Sequence, residues 1–300
     1  MIQYDPHRWF DHFFDVRGTL LVEIFGRVTV CVAWAVAVVA WHVNVAPVAI
    51  PATIHSLVGV ALGLLLVFRT NASYDRYWEG RKLWGRIVND SRNFVRGSRV
   101  HLMDTEPALF HRLARWTAIF PWAAMSTLQG GSELGPAADE LPLEDKTAAL
   151  KAQHLALYCA QQLTAGLHTA RQKGLISDIV EMHLDQNIRQ LVDHVGGCER
   201  IRKTPLPFAY VVHLRRALVV YCFTLPFALV DTFGWATVFT VLFVAYTFFG
   251  IEEIGVEIEG PFGHDENDLP LREICESIHK NVYAVARLAS PPRDVDIQGL

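Results

Sequence analysis

A chain of 300 residues that is 51% hydrophobic and only 19% charged, with a mean hydropathy of +0.22, is too apolar for ordinary soluble domains; part of it belongs in lipid. Its 27 Lys+Arg against 31 Asp+Glu leave a net charge of −4, without the global cationic field of a nucleic-acid binder, so no nucleic-acid partner is expected. Five dispersed cysteines (Cys31, Cys159, Cys198, Cys222, Cys275) form no CxxC or CxxH spacing and indicate neither a disulfide framework nor a zinc site.

Residues 1–19 mix acids, bases and aromatics where a secretory signal would carry an unbroken apolar core, and read as a retained interfacial segment. The apolar stretch Leu20 to Val43 is a spanning helix, interrupted only by Glu23 and Arg27, four apart and able to pair along the helix. After the charge-free turn NVAPVAIPAT, Ile54 to Phe68 is short of the roughly 20 residues a lipid-facing span needs, which suits a helix shielded by protein. Residues 20–68 are therefore a first transmembrane pair. The next stretch carries Arg69, Arg76, Arg81, Lys82, Arg86, Arg92, Arg96 and Arg99 against Asp75, Glu79 and Asp90, which places it in the cytosol.

Residues 69–205 are expected to form a helical cytosolic region. One face takes His154, Leu157, Ala160 and Gln161, another Ile176, Ile179, Val180 and His183. Within it, Phe110 to Leu128 is apolar, but Arg112, Arg115 and Pro121 favour a buried or interfacial helix over a fifth span. A second transmembrane pair, within residues 206–256, runs from Ala217 to Val230 and from Ala236 to Gly250 around an external DTFGW turn. Residues 257–300 complete the chain as a cytosolic segment, so both termini face the cytosol. The fold class is an all-α membrane protein with four transmembrane helices, built as one integrated unit over 1–300.

Three segments carry the functional signal. Val60, Leu64 and Phe68 repeat every fourth residue beside Gly59 and Gly63; such a row either lines a common axis or is the ordinary packing of a spanning helix. The helix continues as FRTNASYDRYWEGRKLWG, whose Tyr74, Tyr77, Trp78 and Trp84 suit an inter-subunit bundle, with a solvated charged face as the alternative. GGCERIRKTPLPFAY (196–210) reads as a Gly-Gly break, a basic patch and a proline elbow entering the membrane. GPFGHDENDLPL (260–271) crowds acids into a kinked turn; this suits a hard cation such as calcium, or helix capping and solvation. The 13 histidines are scattered without an HxxxH pair, and no P-loop, GxSxG, GxGxxG or Cys-His nucleophile pattern is present, so no enzyme chemistry is named.

Together FRTNASYDRYWEGRKLWG, GGCERIRKTPLPFAY, FALVD (227–231) and PFGHDENDLPL resemble the bestrophin family in its bacterial branch, in the same order and over nearly the whole chain. The resemblance implies a homopentamer in the cytoplasmic membrane around one axial pore, with itself, membrane lipid and permeant inorganic ions as partners. It implies a channel for chloride or other anions, with a monovalent-cation (Na+/K+) channel of the same fold as the alternative. The family's apolar neck falls on Val60, Leu64 and Phe68, and its second, cytosolic constriction on Ile179 or Met182. Asp178, Glu181 and Asp185 flank that constriction as vestibule charges. No cofactor is required; carried over by position, a calcium clasp would use the side chains of Asp265 and Asp268 with the carbonyls of Glu257 and Gly260. The competing classes are a membrane-embedded metal or redox enzyme built on the histidines and a structural scaffold.

Overall fold

The computed structural model describes residues 20–288. The interfacial segment expected at 1–19, the last residues of the C-terminal segment and the sidedness of both termini lie outside the described residues. Helices account for the described chain in the order α1 (Leu21–Asn44), α2 (Ala52–Leu102), α3 (Pro107–Gln129), a 3-10 turn (Pro136–Glu140), α4 (Leu143–Lys151), α5 (Leu155–Gln172), α6 (Asp178–Lys203), α7 (Phe208–Phe233), α8 (Ala236–Glu257) and α9 (Leu271–Ala286), with no strand among the described residues. They belong to two compact units. The first takes in the chain up to Trp78 with Thr204–Pro261 and Asp265–Asp268; the second takes in Glu79–Lys203, Phe262–His264 and the chain from Leu269 onward.

In the first unit α1, α7 and α8 pack on one another and on the start of α2, and these four helices are long and apolar enough to cross a membrane. Small residues hold the helices close: Cys31 and Ala35 of α1, Cys222 of α7 and Ala245 of α8 are fully buried among Leu62, Leu66 and Val241. With no hydrophobic drive between helices in lipid, such close approach supplies the dispersion contacts that hold a membrane bundle. Large apolar side chains such as Phe25, Phe239 and Phe243 remain exposed on the protomer, on a scale that marks a lipid or protein contact. The charges in α1 pair differently from expectation: Arg27 reaches across to Glu253 (2.6 Å) and Glu252 (3.4 Å) of α8 rather than along its own helix to Glu23. Two acids inside an apolar span need a cation to offset their desolvation, and Arg27 meets that need, while Glu23 is exposed on the protomer.

The second unit is built on α3, which is buried almost all round; Phe110, Trp116 and Phe120 are 0% exposed, so this helix is the core of the unit and not a span. The α2 and α6 helices meet through glycines: a Cβ on Gly97 would stand 2.7 Å from Leu184, and one on Gly197 would stand 3.0 Å from Leu83. The expected Gly-Gly break is therefore absent. Helix α6 runs unbroken through both glycines, Gly197 serving close packing against Leu83 while Gly196 faces open space, and the chain turns at Thr204–Pro207. Two predicted faces also shift. In α5 the core takes Ala156, Cys159, Ala160, Leu163 and Leu167, while Leu157 is half exposed and His154 caps the helix by accepting from the Leu157 N–H (3.2 Å). In α6 the core takes Leu184, Ile188, Leu191, Val195 and Cys198, leaving Ile179 exposed. Trp84 is 0% exposed in the protomer core rather than offered to a neighbour, whereas Tyr74 and Trp78 stay exposed.

Candidate functional site

On α2, Val60, Leu64 and Phe68 are 66%, 55% and 64% exposed, while Leu62, Leu66 and Arg69 are nearly fully buried. One protomer thus leaves the whole predicted row uncovered and turns the opposite side of the helix into its bundle. The neighbouring small residues differ in use: a Cβ on Gly59 would meet the Tyr221 hydroxyl at 2.8 Å, so Gly59 admits α7, while Gly63 faces open space.

Directly below Phe68 lies a charge cluster that joins the sequence motifs. The Arg69 guanidinium is 1% exposed, 3.5 Å from the Glu252 carboxylate and 3.8 Å from that of Glu259. Glu252 also accepts from Arg215 (2.8 Å) and lies beside Arg27, so three arginines share one buried acid. Glu259 accepts from the backbone N–H of Leu206 (3.0 Å), and its own carbonyl accepts from Arg76 Nε (3.1 Å); Arg76 also donates to the Thr204 carbonyl. The FRTNASYDR helix, the TPLP elbow and the segment before PFG are therefore one hydrogen-bonded joint. Sequence reading missed Glu252 and Glu253 here, although a Glu-Glu pair closing the apolar run of α8 is the signal that finds them.

The acidic turn serves itself. Asp268, 4% exposed, accepts from the Asp265 N–H (2.8 Å), and Glu257 accepts from the Asn267 amide (3.3 Å). Asp268 and Glu257 already bond within the turn, Gly260 faces open space, and among the described residues no three His, Cys, Asp or Glu side chains converge on a metal position.

At the start of α6, Ile179 and Met182 are 74% and 67% exposed. The three neighbouring acids are all engaged within the protomer. Arg171 donates to Asp178 and lies 3.3 Å from Glu181, which also meets His168 (3.5 Å). Asp185 accepts from Arg189 (2.8 Å) and from Thr164 (3.0 Å). The hydrogen bond from Arg171 and its charge hold the Asp178 carboxyl below its ordinary value, and the same contacts raise Arg171. By contrast Arg81, Lys82, Arg86, Arg92 and Arg96, all on α2 and all exposed, have no ion-pair partner among the described residues.

Comparison with known proteins agrees with this architecture. The family model described as bacterial/fungal bestrophin protein matches residues 1–284. A voltage-dependent anion channel-forming protein of Nostoc sp. is 37% identical over 306 residues, covering 96% of this chain and 95% of the relative. One of Escherichia coli O157:H7 is 32% identical over 298 residues, covering 98% and 97%. The crystal structure of a bacterial bestrophin homolog from Klebsiella pneumoniae superposes with a TM-score of 0.81 at 30% identity, over 89% of this chain and 99% of that one. These names describe channel formation rather than catalysis. With four apolar helices, an uncovered row on the second and a family match over nearly its full length, the chain belongs to the bacterial and fungal bestrophin family.

Proposed function

We propose that this chain forms a homopentameric channel in the cytoplasmic membrane, both termini cytosolic, that conducts chloride or other small anions and requires no cofactor to do so. The observation that carries the reading is the row Val60, Leu64 and Phe68, apolar and uncovered on a helix whose other side is buried. Five copies around an axis would stack three apolar rings, a neck that can close by dewetting. Ile179 and Met182 would form the second constriction in the same way.

Apolar rings do not choose by charge, so selectivity falls to the fields beyond them. The cation alternative rests on Asp178, Glu181 and Asp185, and each of these is offset by Arg171 or Arg189 in its own protomer. The exposed Arg81, Lys82, Arg86, Arg92 and Arg96, without an ion-pair partner among the described residues, favour anions. The voltage dependence in the relatives' names enters the proposal as a property of the same pore. The test is chloride efflux from liposomes containing purified protein: efflux well above protein-free vesicles is expected, and none under any applied potential would overturn the proposal.

A further inference from the structure

A buried charge joint lies next to the uncovered row on α2. Phe68 and Arg69 are consecutive, so their side chains point about 100° apart around α2. Phe68 is 64% exposed and Arg69 1%. The guanidinium lies among the carboxylates of Glu252 and Glu259, and Gly255 of α8 closes over it, where an added Cβ would stand 3.1 Å from Arg69 Nε. Turning α2 far enough to hide Phe68 would drag the charge away from both acids, and an unpaired buried charge is among the costliest groups a protein can hold. Turning it the other way meets the Gly255 backbone. Arg76, two turns further along, makes a second fastening to Glu259 and Thr204.

We propose that Arg69 is a positioning residue that fixes the rotational phase of α2 at the neck, seated by Glu252, Glu259 and Gly255. The proposal rests on the reading of Phe68 as a neck residue. It gives Gly255 a definite role, since an added side chain would press on the guanidinium and push it a few tenths of an ångström from its seat against α8.

The test uses the full-length channel in planar bilayers, with the native cysteines replaced and Phe68→Cys introduced. A ring of thiols facing the axis binds a soft divalent metal, and cadmium block then reports the phase of position 68. Thermal stability is measured in parallel, because a merely structural contact would lower stability without altering block. Arg69→Met and Gly255→Ala are each added; the second keeps every charge and needs only a few tenths of an ångström of give, so it serves if the first does not assemble. Cadmium sensitivity is expected to fall about tenfold in both, as expected when the Phe68-facing phase loses its preference over others. Sensitivity within about twofold of the parent in the assembled variants would overturn the phase lock while leaving the neck intact. A conducting Phe68→Cys parent that cadmium does not block would remove Phe68 from the pathway, and the inference would fall with the neck reading.

Discussion

Phe68 and Arg69 show how one peptide bond can separate two opposite environments: a bulky apolar ring offered outward and a charge sealed inward. If the outward row is the neck, its bulk sets the barrier. Val60→Ala, Leu64→Ala and Phe68→Ala should each raise single-channel conductance, with Phe68→Ala the largest single effect, about two- to tenfold, because its side chain excludes the most water-filled space. A triple variant conducting no better than the parent would show that these residues do not line the narrow path. The acids at the start of α6 invite a second substitution. Because Arg171 engages Asp178 and Glu181 together, Arg171→Gln releases two carboxylates per subunit, while Asp178→Asn removes one already compensated charge. Under a salt gradient the first should move the reversal potential toward the cation equilibrium and the second should leave it near the parent value. The reverse pattern would restore the acids to a role in selectivity.

At the scale of elements, α9 offers a pH-dependent contact within the second unit. His279 stacks on Tyr283 (ring centroids 4.0 Å apart), and Tyr283 donates to Glu140, which also accepts from Arg115 (both 2.8 Å). Burial holds His279 below its ordinary value of 6.5 against the partial upward pull of Glu140 and Glu276, and Nδ1 is buried without a partner. The folded histidine therefore resists the proton that the unfolded chain accepts. Stability contributed by neutral His279 is complete above pH 6.5 and is lost as pH falls from there through the lower folded value. Thermal melts in detergent should show a falling Tm over that window, and His279→Phe, which cannot titrate, should flatten it; an unchanged slope would remove His279 as the cause.

The same scale shows what the sequence made legible. Long apolar runs located all four spanning helices, and the charges of Arg112 and Arg115 with Pro121 correctly kept α3 out of that count. Faces of the cytosolic helices were harder. Leu157 and Ile179 match a helical repeat, yet they lie off the cores of α5 and α6, since periodicity gives a stripe without saying which neighbour covers it. The uncovered stripe Val60, Leu64 and Phe68 was legible because four-residue spacing survives in one uninterrupted helix. The joint was not, because Arg69, Glu252 and Glu259 are remote in sequence and meet only once the helices pack.

For the whole molecule, topology can be read by thiol labelling. Asn44 and Asp231, both exposed at the ends of α1 and α7, should react as introduced cysteines with an impermeant reagent added outside intact cells. The inside position should be Val100, 77% exposed, rather than Ser98, which is fully buried and would fail to label from either side. Labelling of Val100→Cys from outside would invert the arrangement. The native thiols are poorly reactive competitors where they are buried: burial pushes Cys159 and Cys198 up to about 12.

The central claim, an anion channel with an apolar neck and basic surroundings, is tested most directly by the reversal potential of the purified protein in a planar bilayer under a potassium chloride gradient. The predicted result is a reversal potential close to the chloride equilibrium value, moving toward the potassium value when Lys82, Arg86 and Arg96 are neutralised together. A parent channel that reverses near the potassium equilibrium value would contradict it.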